Sequence, residues 1–403
     1  MKFAHLADVH LGNWRDETMK SFVEKAFSLA VDECVNENVD FVLISGDLFN
    51  TAMPSVSHLK LVINKLKTLK NRGIRVYYIA GSHDFSASGK TMLDIIEEAG
   101  LGVNVTKGEV TSEGKLRLKF TNDSESGAKI TGLIGRKGTL EKRYYENLDV
   151  DYLRDAKGFK VFMFHTAIDE LKPKELTMME GSPISFLPSG FDYYAGGHVH
   201  IVNSISMSGY RNVVYPGPIF PANTAELEKL GEGSFFIYEN GDVRKKPVKV
   251  VDLAVLNVFA NSKDSFEVKN ELWSSLSSNY DDKLVLIKLT GRLSSGKALD
   301  LDLKNLVKEI YERGALHVLK STSGLQAPQY ESSRSESKKS DDIESEVISE
   351  SSGKFKHPFI DEKEAFFNLM NALRVEKVEG ETNADFEERL LKDIEAVMVE
   401  NLK

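Results

Sequence analysis

VYYIAGSHDFS, residues 76–86, runs five mostly apolar residues into a Gly-Ser turn and then sets a histidine beside a carboxylate. Residues 76–80 are largely β-branched or aromatic and are bounded by Gly73 and Gly81, the pattern of a strand buried on both faces. His83 and Asp84 therefore stand just past the carboxyl end of a strand, where open α/β sheets collect ligands and catalytic groups. Whether other strands end in the same way decides what kind of protein this is.

Outward from that strand, the first 100 residues alternate: strands at 2–7, 39–45 and 74–80, helices at about 18–37, 55–72 and 89–99. This βαβαβ order implies parallel strands joined by right-handed crossovers. Further strands are expected near 103–110, 115–121, 129–135, 160–165, 192–196, 201–207, 212–215 and 234–238, the later ones spaced as antiparallel pairs, so the sheet is mixed. Near residue 250 the pattern changes. VVDLAVLNVF, the helix-like SFEVKNELWSSL, the strand KLVLIKLTGRL and a second helix LKNLVKEIYERG form a smaller α+β unit. Residues 327–354 hold nine serines and almost no large apolar group, a composition that cannot offset its ordering entropy by burial. Two amphipathic patterns follow, Phe366, Leu369, Met370, Leu373 and then Phe386, Leu390, Ile394, Val397, the second preceded by Thr382 and Asn383 as caps. Helices this short are marginal alone, and the long linker favours docking on a partner over docking on the body.

With 403 residues and 41% hydrophobic content the chain can bury at least one large core and is expected to form about two or three domains. Its single cysteine, Cys34, falls in an apolar-periodic helix and excludes an internal disulfide framework. The chain enters its first strand at Lys2, and no apolar run approaches the ~18 residues of a membrane span, so an intracellular setting is expected. The net charge of -9 is concentrated in the tail: residues 327–403 hold 19 acidic and 11 basic residues, leaving -1 for the rest. Nucleic acid is therefore not excluded as a partner of the body. Between Asp47 and Asp84 the charged residues are all basic, namely Lys60, Lys65, Lys67, Lys70, Arg72 and Arg75. They read either as a phosphate-attracting patch or as a solvated helix face.

The other strand ends answer the opening question. ADVHLG carries Asp8 and His10, SGDLFN carries Asp47, FMFHTA carries His165, and AGGHVH carries His198 and His200, so that with His83 five of the nine histidines sit at strand ends. Imidazole and carboxylate together suit manganese, iron or zinc, and the lack of thiolate argues against a structural zinc. An Asp-x-His pair can share one ion, and the lone Asp47 can bridge two ions at ~3.5–4 Å, as in two-metal phosphoryl-transfer sites. Glycines precede Asp47, Ser82 and His198, allowing tight turns and close backbone approach. His5, His58, His317 and His357 lie elsewhere and are read as structural or solvent-facing.

The ordered set D-x-H, G-D, G-S-H-D, H and G-H-x-H resembles the calcineurin-like metallophosphoesterase superfamily. Within it, HLADVHLG and GDLFNTAMPS are similar to the SbcD-like nuclease subunits of DNA double-strand-break repair, which partner a coiled-coil ATPase. The resemblance implies an α/β fold: a metallophosphoesterase-type sandwich of mixed β-sheets flanked by helices over 1–249. It adds a small α+β capping domain that binds DNA over 250–326, a disordered Ser-rich linker over 327–354, and a C-terminal helical pair that binds the ATPase over 355–403. Carried over position by position, it makes Asp8, His10 and His200 ligands of one manganese ion. Asp47 then bridges to a second ion held by His165 and His198, with Ser82 where the family places its remaining ligand. His83 would stand near the leaving oxygen as general acid or transition-state stabiliser, and Asp84 would orient an imidazole. The implied cofactors are two Mn2+, other divalent metals being possible. The implied partners are DNA, an SMC-like coiled-coil ATPase and a second copy of the chain, with no membrane. The implied activity is manganese-dependent cleavage of DNA, as a 3′–5′ double-strand exonuclease and single-strand endonuclease, in the cytoplasm and at the nucleoid.

Two positions depart from the family pattern. Ser82 replaces an asparagine whose amide oxygen binds the second ion, and a shorter hydroxyl is expected to act through water. Asn50 stands where many members carry a histidine that handles duplex ends, which puts the balance of exonuclease and endonuclease activity in question. The alternative reading is a metallophosphatase or phosphodiesterase acting on a non-DNA substrate. Phosphoprotein phosphatases of the superfamily place arginine soon after G-D to grip a monoester, and GDLFNTAMPS offers none. A scaffold that merely keeps the fold would be expected to have lost ligands.

Overall fold

The strands Lys2–Leu6, Phe41–Ser45 and Arg75–Ile79 are apolar on both faces because both faces are covered. Ala4, Val42, Ile44, Val76 and Tyr78 pack beneath the helices Glu17–Asn36, Val56–Asn71 and Met92–Glu98, against Phe27, Ala30, Val62, Leu66 and Ile96. Those helices begin where Asp16, Ser55 and Thr91 accept a main-chain N–H of the first turn. Phe3, Phe41, Leu43, Tyr77 and Ile79 point the other way, onto Ile130, Val161, Met163, Tyr193, Ala195 and Val214 of a second sheet. Phe3 lies between the rings of Phe41 and Tyr238, centroids 4.8 and 4.7 Å away. A buried aromatic of this kind contributes about 1.5–3 kcal/mol through the area it removes from water.

The computed structural model describes residues 1–86, 91–136, 141–173, 176, 179–328, 362–375, 377 and 383–400. The first sheet runs Asp242–Val248, Gly233–Glu239, Lys2–Leu6, Phe41–Ser45, Arg75–Ile79, Val103–Asn104. The second runs Val202–Met207, Tyr210–Pro216, Tyr193–Gly197, Lys160–His165, Lys129–Gly132, Thr121–Asn122. Both are mixed. The strands from Lys2–Leu6 to Val103–Asn104 are mutually parallel, as are those from Tyr210–Pro216 to Lys129–Gly132, and the remaining neighbours are antiparallel.

Three local expectations need correction. The strand expected at 103–110 is two, Val103–Asn104 in the first sheet and Gly108–Val110 paired with Leu116–Leu118 in a separate ribbon. Tyr193–Gly197 is parallel to both neighbours, because Tyr210–Pro216 returns beside it from the hairpin with Val202–Met207. The third helix begins at Met92, where Thr91 and Asp94 form a capping box.

Beyond residue 250 the strands Asp252–Phe259, Lys283–Arg292 and His317–Gln326 are all parallel, with Ser265–Ser274 and Leu303–Glu312 in the crossovers. This layer has its own core of Leu256, Val258, Val285, Ile287, Leu306 and Ile310, while Leu284 on its other face joins the core under the first sheet. Met1–Pro328 forms one compact unit and Gln329–Lys403 another. In the second unit the helices Glu362–Leu373 and Asn383–Glu400 pack on each other, and Phe386, Leu390, Ile394 and Val397 are half-buried along one stripe. The segment read as a linker lies, from residue 329 on, outside the described residues, as do His357, Thr382 and the Phe366 side chain.

Candidate metal centre

Parallel order carries the ends of Lys2–Leu6, Phe41–Ser45, Arg75–Ile79, Lys160–His165 and Tyr193–Gly197 to one edge of the sandwich. The first two loops stay joined past the strands: Asp8 N–H donates to the Gly46 carbonyl at 3.2 Å and His10 N–H to the Asp47 carbonyl at 2.9 Å. Asp8, His10, Asp47, His198 and His200 have φ of 51°, 49°, 51°, 97° and 50°. They are five of the eleven non-glycine residues with positive φ among the described residues. Such backbone costs on the order of 1–3 kcal/mol per residue and collects at functional sites. Close approach at the edge also needs glycine. A Cβ on Gly81 would overlap the Asp47 carboxylate, and one on Gly197 would overlap the Ser45 carbonyl and lie 2.8 Å from His165 Nδ1.

Three overlapping sets of ligand atoms result. Asp8, His10 and His200; His10, Asp47 and His83; and Asp8, Asp47 and His165 each bring oxygens and nitrogens within 4.8 Å of one another. Asp47 is at the centre: its Oδ2 lies 3.2 Å from His165 Nε2 and 3.6 Å from His10 Nε2, and its Oδ1 accepts the His83 N–H at 2.8 Å. Three imidazoles are aimed through Nδ1. His165 donates to the Ser45 carbonyl at 2.8 Å, His83 to the Asn50 carbonyl at 2.9 Å and His200 to Glu226 Oε1 at 3.1 Å. A proton on Nδ1 leaves Nε2 its lone pair, the form in which imidazole binds a metal. His10 Nε2 and His200 Nε2 face each other at 2.9 Å, and His10 Nδ1 is buried without a hydrogen-bond partner. Converging imidazole nitrogens and carboxylate oxygens are the donor set of divalent cations, so these residues fit a two-ion site.

The electrostatics point the same way. Burial by itself would raise the Asp47 carboxyl, but His165 and His10 hold it well below the usual carboxylate range. Burial would strip His165 of its proton, but Asp47 raises its pKa to about 10. A cation bound there displaces that proton, so metal uptake and proton release are linked. His10 is lowered to about 3 and His198 to about 4, chiefly by burial, and burial likewise raises Asp8. His198 stands outside the three sets. Ser82 is buried, and His198 packs its ring 5.2 Å from that of His165 and donates its N–H to Asp8 Oδ1 and Oδ2 at 2.9 and 3.1 Å.

The matching family model is that of the calcineurin-like phosphoesterases, over residues 1–202. All residues of the three ligand sets lie in that span. The chain belongs to the calcineurin-like phosphoesterase family. Its curated relatives include the DNA double-strand break repair protein Mre11 of Archaeoglobus fulgidus, 28% identical over 242 residues, 57% of this chain and 52% of that protein. Another is the Mre11 of Methanococcus maripaludis, 26% identical over 282 residues, 67% of this chain and 71% of that protein. An uncharacterised metallophosphoesterase of Bacillus subtilis, YhaO, is 25% identical over 258 residues, 60% of this chain and 59% of that protein. The chain spans about half the length of the Archaeoglobus relative. Membership of the phosphoesterase family bears out the superfamily read from the five strand ends, and with it a metal-dependent phosphoesterase chemistry.

The structure reassigns Asp84. Its carboxylate accepts the N–H groups of Leu48, Phe49 and Gly81 at 3.2, 2.9 and 3.1 Å and so clamps the Asp47 loop to the His83 loop. It orients none of the three imidazoles aimed through Nδ1, which are held by Ser45, Asn50 and Glu226. Burial and the neighbouring Asp47 push the Asp84 pKa up to about 6. Glu226 was not anticipated. Its sequence signal, Asn223-x-x-Glu226, is a helix-start pattern and says nothing of a histidine. The remaining described histidines are structural: His5 bonds Tyr193 Oη at 3.1 Å, and His58 and His317 approach Glu24 and Asp16 at 3.2 and 3.3 Å. Of the basic run, Lys65 and Arg75 pair with Asp32 and Asp123, while Lys60, Lys67, Lys70 and Arg72 are exposed. Among the described residues, no helix is long and apolar enough to cross a membrane.

Proposed function

We propose that this phosphoesterase is a manganese-dependent DNA nuclease that acts in double-strand-break repair with a coiled-coil ATPase, as a 3′–5′ exonuclease on duplex and an endonuclease on single strands. The observation that carries the reading is Asp47, one carboxylate shared between two sets of ligand atoms with His83 beside it. In this reading Asp8, His10 and His200 would hold one ion, His165 and His198 would hold the other, Asp47 would contribute to both, and Ser82 would act through water. Such ions would supply stabilisation of charge on the entering and leaving oxygens of an in-line displacement at the phosphodiester. His83, fixed by the Asn50 carbonyl through Nδ1, turns Nε2 toward the leaving oxygen and, when protonated, donates to it. Asp84 keeps the Asp47 and His83 loops in register.

DNA is favoured over a phosphomonoester by the names of the Mre11 relatives and by the lack of arginine in residues 46–55. A cavity of ≈ 640 Å³ beside His200 and Glu226, walled by Leu171, Val199, Ile201, Val202 and Leu230, is large and apolar enough for a nucleobase. In this reading 1–249 is the nuclease domain, 250–326 caps it and binds DNA, 327–354 is a linker, and 355–403 binds the ATPase. The protein acts as a homodimer inside the cell, at the nucleoid. Circular single-stranded DNA, linear duplex and p-nitrophenyl phosphate, each incubated with protein and manganese and with a chelator control, test it. Manganese-dependent cutting of both DNAs with little ester turnover is expected. Ester hydrolysis with both DNAs intact would make the protein a phosphatase.

A further inference from the structure

His165 and His83 are aimed by main-chain carbonyls, that of Ser45 in the strand Phe41–Ser45 and that of Asn50 in the loop that follows it. His200 is aimed differently. Its Nδ1 bonds a side chain, Glu226, on the helix Thr224–Leu230. That helix is held from two sides. On the metal side, Asn13 Nδ2 donates to the Ala222 carbonyl at 2.7 Å and Trp14 Nε1 to the Pro221 carbonyl at 3.1 Å, tying the start of the helix to the loop that carries Asp8 and His10. Glu226 Oε2 accepts the Ala222 N–H at 2.8 Å, and Asn223 Nδ2 donates to Oε1 at 2.7 Å, so the carboxylate is fixed in the same turn. On the far side, Lys288 of the central strand of the layer at 252–326 reaches Glu228 at 2.6 Å, with both side chains 29% exposed. Glu228 is two residues from Glu226.

We propose that Glu226 is a positioning residue for His200, and that the Lys288–Glu228 ion pair lets the layer at 252–326 set where that residue stands. Of the three imidazoles aimed through Nδ1, His200 is the one held by a side chain, so its approach to an ion follows the position of a single helix. Movement of the layer draws on Glu228, shifts the seven-residue helix and alters the direction of His200 Nε2. A carboxylate behind a ligating histidine also fixes its tautomer and raises its basicity. The inference rests on the proposed role of His200 as a metal ligand.

The test is manganese titration by calorimetry on the full chain, with the His200 tautomer of the metal-free protein read from imidazole ¹⁵N shifts and folding checked by thermal melting. Glu226→Ala should weaken binding at one ion by about 10–100-fold and shift His200 away from the Nδ1–H tautomer. Glu226→Gln keeps an acceptor and should lose less. Lys288→Glu should weaken the same ion roughly 2–5-fold, the scale of a partly exposed ion pair, and the exchanged pair Lys288→Glu/Glu228→Lys should restore it. If Glu226→Ala leaves tautomer and affinity unchanged while His200→Ala loses an ion, Glu226 does not position His200 and the metal assignment stands. If His200→Ala itself binds manganese like the parent, the metal assignment of His200 fails and the inference fails with it. Equal affinity in the parent, Lys288→Glu and the exchanged pair removes Lys288 as the anchor.

Discussion

At the amino ends of the central strands Lys2 pairs with Glu37 at 2.6 Å, Arg75 with the buried Asp123, and the buried Lys160 Nζ donates to the Leu153 and Arg154 carbonyls at 3.1 and 2.7 Å. At the carboxyl ends of these strands and of Phe41–Ser45 and Tyr193–Gly197 five residues hold left-handed backbone, His10 Nε2 and His200 Nε2 face each other at 2.9 Å, and His10 Nδ1 is buried without a hydrogen-bond partner. Buried polar groups stand at both ends, Asp123 and Lys160 at one, Asp8, Asp47 and His165 at the other. What differs is whether the chain completes them. A charge that serves stability is satisfied within the protein, because a buried unpaired group is costly. A site that binds cations concentrates donors that the chain alone leaves unsatisfied, and accepts strain to do so.

The largest expected effects break the carboxyl end. Asp47→Ala removes the carboxylate that lies between His10, His165 and His83, so metal content should fall and DNA cleavage drop to background. His83→Ala should keep its metal yet cut about 10²–10⁴-fold more slowly, the size of a lost proton-transfer group. Metal analysis beside cleavage rates separates the two, and parent-like cutting by both variants would mean that the site lies elsewhere.

A middle-sized effect belongs to the amino end. Burial would raise the Asp123 carboxyl, but Ser126, Tyr77 and Arg75 outweigh it and hold the group below its ordinary value. A lowered folded pKa contributes stability above the unfolded value near ~3.9 and loses it as pH falls through the folded value. Asp123→Asn should therefore cost about 1–3 kcal/mol at neutral pH in urea unfolding, the scale of a charged hydrogen bond, with cleavage unchanged. The gap from the parent should close toward acid. A gap that stays constant with pH would show that the charge of Asp123 is not what stabilises this end.

The smallest effect sharpens the comparison at position 82. If Ser82 acts on an ion through water, as proposed, Ser82→Asn should tighten one manganese ion roughly 3–10-fold by supplying an amide oxygen, and Ser82→Ala should loosen it by less than that. Calorimetric titration reads both. Identical affinities in all three proteins would take Ser82 out of the coordination sphere.

The sequence by itself determined the strands that matter and what stands at their ends. An apolar run fixes where a strand stops, a glycine permits the turn, and the next residues must lie at that edge, so Asp8, His10, Asp47, His83, His165, His198 and His200 were legible within about ten residues each. The same locality made the amphipathic stripe from Phe386 to Val397 readable. The strand His317–Gln326 was not, because half of it faces solvent and HVLKSTSGLQ carries few apolar residues. Only the tertiary structure decided which groups aim the imidazoles. Carbonyl acceptors such as those of Ser45 and Asn50 are present at every residue and leave no trace in side-chain identity. Asp84 serves backbone amides rather than an imidazole because the Asp47 loop lies against it. Glu226 reaches His200 across 26 positions because a helix of the first unit packs beside that edge. Ligand identity is a local property of the chain, whereas ligand orientation comes from contacts between segments that only folding brings together.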